Sequence, residues 1–145
     1  MSQTLQAARL RLARDRPYLA SALYALSPRE CPGLGTVAVD RWWRLYYDPA
    51  CLERLGAQET VGVLYHELSH CLRRHHERAE IQRAEPLPWN VAGDLEINDD
   101  LSVEGVPLPR GALYPAQFGW SAQLLAEAYY RRILDQSLPS WGLPL

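Results

Sequence analysis

Two histidines four residues apart, His66 and His70, stand with Glu67 in the run Leu64-Tyr65-His66-Glu67-Leu68-Ser69-His70-Cys71-Leu72, whose flanks carry no charge. In a helix, positions four apart lie one turn above the other on one face, so both imidazoles can reach one metal ion, typically zinc. Glu67 is turned by about 100° from His66 and about 60° from His70. It therefore points beside the ion, where a general base must stand to take a proton from water activated there. With His66 at zero degrees, Val61, Leu64, Leu68, Cys71 and Leu72 fall in an apolar band on the far side. The pattern predicts a buried helix from about residue 57 to about residue 78, with its band on the core and its histidines toward a cleft.

A catalytic zinc site takes three protein ligands and leaves a position for water. His75, His76 and Asp94 are the candidates for the third. All four histidines of the chain fall between His66 and His76. His76 has the spacing HExxHx5H, but that arrangement needs a glycine three residues after the second histidine, where Arg73 stands. On a continuous helix His76 lies about 280° from His66, and His75 about 180° away, within the apolar band. Asp94 is the better candidate. On a helix read from Trp89 to about Leu101, Asn90, Val91, Ile97, Asn98 and Leu101 lie within about 60° of Asp94. Ala92, Glu96, Asp99 and Asp100 fall on the other side. Asp94 is thus central on the face expected to be buried, and a buried carboxylate needs a metal or a cationic partner. Zinc is the expected compensation, with Asn90 and Asn98 as supporting amides. An ion pair with Arg73 or Arg74 is the alternative. Gly93 would let this helix approach the HExxH helix closely.

The rest of the chain supplies a frame. Residues 3–26 read as an amphipathic helix kinked or split at Pro17. Ser27–Gly35 reads as a loop. Thr36–Asp40 and Trp43–Tyr47 read as a small sheet or hairpin, with Asp48-Pro49 ending the second strand. Glu85–Pro88 reads as an extended turn, residues 102–120 as a loop, and Ser121–Leu134 as a last helix capped by Ser121. The expectation is one α+β domain over 1–145, mainly helical with a small sheet beside the HExxH helix, and a loose tail at 139–145.

Composition removes several functions. The chain has fifteen Lys plus Arg, and every one is arginine. A phosphate-binding P-loop and a lysine Schiff base both need the missing lysine. The formal net charge is −2 and there is no long basic run, so nucleic acid is not an expected partner. No apolar run is long enough to span a membrane, and the first sixteen residues lack the apolar core of a secretory signal. Cys31, Cys51 and Cys71 are odd in number with no CxxC pair, which predicts reduced thiols in a cytoplasmic protein.

The stretches HELSHCLRRHHER, WNVAGDLEIND, PLPRGALYP and AEAYYRRI, in that order, resemble a bacterial metallopeptidase domain that usually precedes a von Willebrand factor A-like domain in MoxR-associated proteins. TVAVD and LYYDP fit that family's strand pair, so the likeness runs from about residue 5 to residue 134. The resemblance implies a zincin-like fold, one Zn²⁺ per chain, zinc-dependent peptide hydrolysis and an aspartate third ligand. It also implies an AAA ATPase as partner.

The expected activity is hydrolysis of a peptide or protein substrate, with His66, His70 and Asp94 on zinc and Glu67 as general base. Tyr114, in the loop before the last helix, could donate to the oxyanion, but a core or surface tyrosine is the favoured reading. Trp43–Tyr47 is a candidate edge to which an extended substrate could add, or equally a plain core strand. Two other readings remain open: hydrolysis of a non-peptide amide, and a zinc-stabilised binding or adaptor module without catalysis, its metal closed by a fourth protein ligand such as His75 or His76.

Overall fold

The computed structural model describes residues 1–136; the expected loose tail at 139–145 lies outside them. The architecture is α+β, helices around a small three-stranded sheet. Helix α1 (Gln3–Asp15) starts at Ser2, whose hydroxyl accepts from the Leu5 N–H, and buries Leu5, Ala8 and Leu12 on one face. Pro17 does more than kink the expected long helix. It starts a 3₁₀ turn, Pro17–Leu19, and the chain resumes as the short α2 (Ala20–Ala25).

The sheet differs from a plain hairpin. Strand β1 (Ser27–Glu30) pairs in parallel with β3 (Arg44–Tyr47), and β2 (Val37–Val39) pairs antiparallel to β3 on its other side. The order is β1-β3-β2. Ser27–Gly35 reads as loop in the sequence, but its first half is an edge strand. Ser-Pro-Arg-Glu shows no apolar alternation, and Pro28 is tolerated because the strand is at an edge. Conversely, the strand expected to offer an edge to substrate, Trp43–Tyr47, is bonded on both sides. The edge beside the histidines is β2.

Helix α3 (Pro49–Leu72) begins earlier and ends sooner than its periodicity predicts. The Asp48 carboxylate accepts from the N–H groups of Ala50 and Gly35, and Pro49 occupies the first turn, where a missing N–H costs nothing. Asp48-Pro49 therefore both ends β3 and starts α3, and Gly56 (φ 77°) absorbs a kink between the two parts. The helix stops at Leu72 because Arg74 takes the left-handed conformation (φ 56°). A separate α4 (His75–Gln82) follows, so the expected helix to residue 78 is two helices, and Leu72 is exposed. Helix α5 (Pro86–Val103) starts within the expected turn, with both prolines in its first turn. Helix α6 (Ala126–Asp135) starts five residues after Ser121. Its first N–H, from Ala126, donates to the Glu96 carboxylate at 2.6 Å, so the cap comes from α5 and not from Ser121.

α5 lies between two cores. Ile97 and Leu101 join α1, α2, the sheet and α3; Trp89, Val91, Ala92 and Leu95 pack with Trp120, Tyr129 and Ile133. Among the described residues no helix is long and apolar enough to cross a membrane, and the three cysteines are free thiols. The loop after α5 presses on α3 at Gly62, where an added Cβ would stand 2.0 Å from the Pro107 carbonyl oxygen. Gly62→Ala is accordingly expected to cost about 1–3 kcal/mol or more, as overpacking against backbone does. A thermal melt equal to that of the unaltered protein would refute this.

Candidate metal centre

α3 supplies His66 and His70 one turn apart, and α5 brings Asp94 across to them. The two Nε2 atoms are 3.1 Å apart, and Asp94 Oδ1 lies 3.1 Å from each. Ligands about 2.0–2.1 Å from a tetrahedral zinc ion stand about 3.3 Å from one another. The three atoms thus outline one face of a tetrahedron of nearly that size. The metal-binding atoms of His66, Glu67 and His70 also lie within 4.8 Å of one another, a looser group. Glu67 stands beside the triangle.

The hydrogen bonds around the triangle bear on whether a cation fits. Asn98 Nδ2 donates to the Leu113 carbonyl at 3.0 Å, so its Oδ1 faces His66 Nδ1 at 2.7 Å. His66 Nδ1–H must then donate to that oxygen, and on a neutral ring Nε2 carries a lone pair. This lone pair points at a carboxylate oxygen 3.1 Å away, which is repulsive unless a proton or a metal ion lies between. Asp94 is 1% exposed, and its Oδ2 has no hydrogen-bond partner among the described residues. Such an orphaned oxygen costs about 1–3 kcal/mol or more. Two imidazoles, a carboxylate and an unsatisfied buried oxygen form a donor set that suits a divalent ion.

The titration of these groups reflects the same crowding. Burial opposes charge on His66, but the Asp94 carboxylate outweighs it and holds the imidazole up at about 9. Burial drives His70 down to about 4, with Asp94 opposing only in part. Burial would raise Asp94, yet the two imidazoles keep it below the usual carboxylate range. Glu67 is pushed up to about 8 by burial and then by the Asp94 charge, against the pull of His66.

A cleft of ≈ 270 Å³ opens beside the triangle, lined by Thr36–Val39 of the β2 edge and by Glu67, His70, His76, Asn90 and Asp94. A second cavity of ≈ 180 Å³ shares Thr36, Val37 and Glu67 with it and is otherwise mostly apolar, with Cys51, Leu55, Val63 and Pro109.

The remaining candidates divide. Asn98 touches His66, whereas Asn90 is exposed on the cleft wall. The break at Arg74 undoes the wheel positions of His75 and His76, which assumed one helix. His75 turns back toward α3, buried, with Nδ1 2.9 Å from His70 Nδ1. It meets the back of His70 and not the triangle. His76 is half-buried on the cleft wall. Tyr114 is half-buried and lines neither cavity. Arg73, the alternative partner for Asp94, pairs instead with Asp100 at 2.7 Å and with Glu96 at 3.4 Å.

Glu96 was missed. The wheel put it with the solvent face of α5, yet it is 5% exposed and accepts from His75 Nε2, Arg78 and the Ala126 N–H. Ala92 on the same side and Leu95 between the two faces were the available signal, since apolar residues there mark a helix buried on more than one face.

Against known proteins, a family model described as "Putative metallopeptidase domain" matches residues 1–139. No curated protein and no solved structure matches the chain.

Proposed function

The chain belongs to this family of metallopeptidase domains, and from that premise we propose that it cleaves peptide bonds with one Zn²⁺ held by His66, His70 and Asp94. The observation that carries the reading is the 3.1 Å triangle of two imidazole nitrogens and a carboxylate oxygen beside a cleft that Glu67 also lines. Zinc, when bound, polarises a carbonyl and makes water a nucleophile near neutral pH. Glu67 takes the proton of the attacking water and delivers it to the leaving amine. Its raised affinity for a proton suits the second step, and a cation beside it draws the pKa back toward the first.

The β2 edge sets the substrate's course. Val37–Val39 bonds to β3 on one side only, so its other side can pair with an extended peptide laid along the cleft. A side chain next to the scissile bond would enter the apolar cavity, whose ≈ 180 Å³ suits a leucine or phenylalanine, since about 150 Å³ already holds benzene. The zincin-like description of the fold belongs to the same reading.

Metal removal tests it. The purified protein should contain one zinc ion per chain and cleave members of a quenched peptide library. A chelator should abolish cleavage, and added zinc should restore it. Stoichiometric zinc without cleavage of any peptide would favour the non-catalytic binding module. Cleavage that survives complete removal of metal would end the reading altogether.

A further inference from the structure

The line behind His70 does more than fill space. His75 Nε2 lies 2.8 Å from Glu96 Oε1. A carboxylate only accepts, so His75 donates through Nε2–H, and on a neutral ring its Nδ1 is an acceptor. That acceptor stands 2.9 Å from His70 Nδ1, which must therefore carry the proton between them. His70 Nε2 is then left with its lone pair, pointing at Asp94 and His66. A His75 with the opposite tautomer would present a proton to His70 Nδ1 and force the other proton onto Nε2, where it blocks a metal.

We propose that His75 is a positioning residue, set by Glu96, that holds His70 in the one tautomer able to bind zinc through Nε2. This rests on the zinc reading above. Several neighbours keep the line in place. Glu96 is buried and also accepts from Arg78 Nη2 at 2.9 Å and from the Ala126 N–H. The carbonyl of His75 accepts from Trp89 Nε1–H at 2.9 Å. Gly93 leaves room for the ring: a Cβ there would come 3.0 Å from His75 Nδ1. The left-handed Arg74 swings His75 back from the end of α3. Asn98 does the same for His66, so both imidazoles are oriented from behind by acceptors, as metal-binding histidines commonly are.

The test uses zinc chloride in competition with a chromophoric chelator, on the full chain and on His75→Phe, which keeps the ring and loses both nitrogens. The zinc Kd is expected to rise about 10–100-fold. Long-range proton–nitrogen spectra of the unaltered protein should show the proton of His75 on Nε2 and that of His70 on Nδ1. An unchanged zinc affinity in a folded variant, or a proton on His75 Nδ1, overturns the proposal. Should the variant not fold, the spectra alone decide. If the unaltered protein binds no zinc, the failure is that of the proposed function, and the His75 tautomer is still read from the same spectra.

Discussion

Glu67→Gln should retain its zinc and lose peptide hydrolysis by about 10²–10⁴-fold, the range over which a positioned general base contributes. The substitution preserves shape at a side chain that is 3% exposed, so the helix and the triangle beside it should stand. An amide cannot take a proton from water at neutral pH. His76 sits on the cleft wall, outside the group of converging atoms. Metal content and kcat measured on one preparation make the comparison. Full zinc with unchanged kcat would remove Glu67 from the mechanism, while loss of zinc would mean that its charge serves the ion more than the water.

Asp94→Ala is expected to strip the site of zinc, with a larger loss than the ~10–100-fold that removing a supporting group causes. Two imidazoles alone make a weak bidentate site. The neighbouring Glu67 belongs only to the looser group within 4.8 Å. His76→Ala is the control: it alters the same cleft and should leave zinc in place. Zinc lost from the His76 variant and kept in the Asp94 variant would instead mean that α4 moves to complete the ligand set. Either outcome is read by metal analysis after gel filtration, without reference to any substrate.

The legible and illegible parts of this fold have different physical origins. The relation of His66, Glu67 and His70 is local, since one turn of helix sets it, and the sequence carries it in full. The burial of Asp94 was readable because apolar residues flank it at helical spacing on α5. Longer-range features left weaker marks. β1 is a strand because β3 accepts it as a parallel neighbour, not because Ser-Pro-Arg-Glu prefers to be extended. The break between α3 and α4 falls on an arginine in a conformation that usually selects glycine, so no punctuation announces it. That single residue moved both trailing histidines. His75 went to the back of His70, and His76 to the cleft. Glu96 was hidden for a related reason: Ala92 and Leu95 mark that part of α5 as buried, but its partners lie on α4 and at the start of α6, which no local spacing names.

The cap of α6 has a consequence for the order in which the chain becomes competent. The HExxH helix and Asp94 are both present once α5 has been made, and residues 1–103 already contain all three proposed ligands. Glu96, however, is shared between His75 and the Ala126 N–H. Until α6 packs against α5, Oε2 of that carboxylate lacks the Ala126 donor and keeps only Arg78. During synthesis His66 can therefore meet Asn98 as soon as α5 is made, whereas the bracing of His70 through His75 and Glu96 is completed only when α6 arrives. The contact that completes this bracing is made by a backbone N–H that belongs to neither ligand-bearing helix.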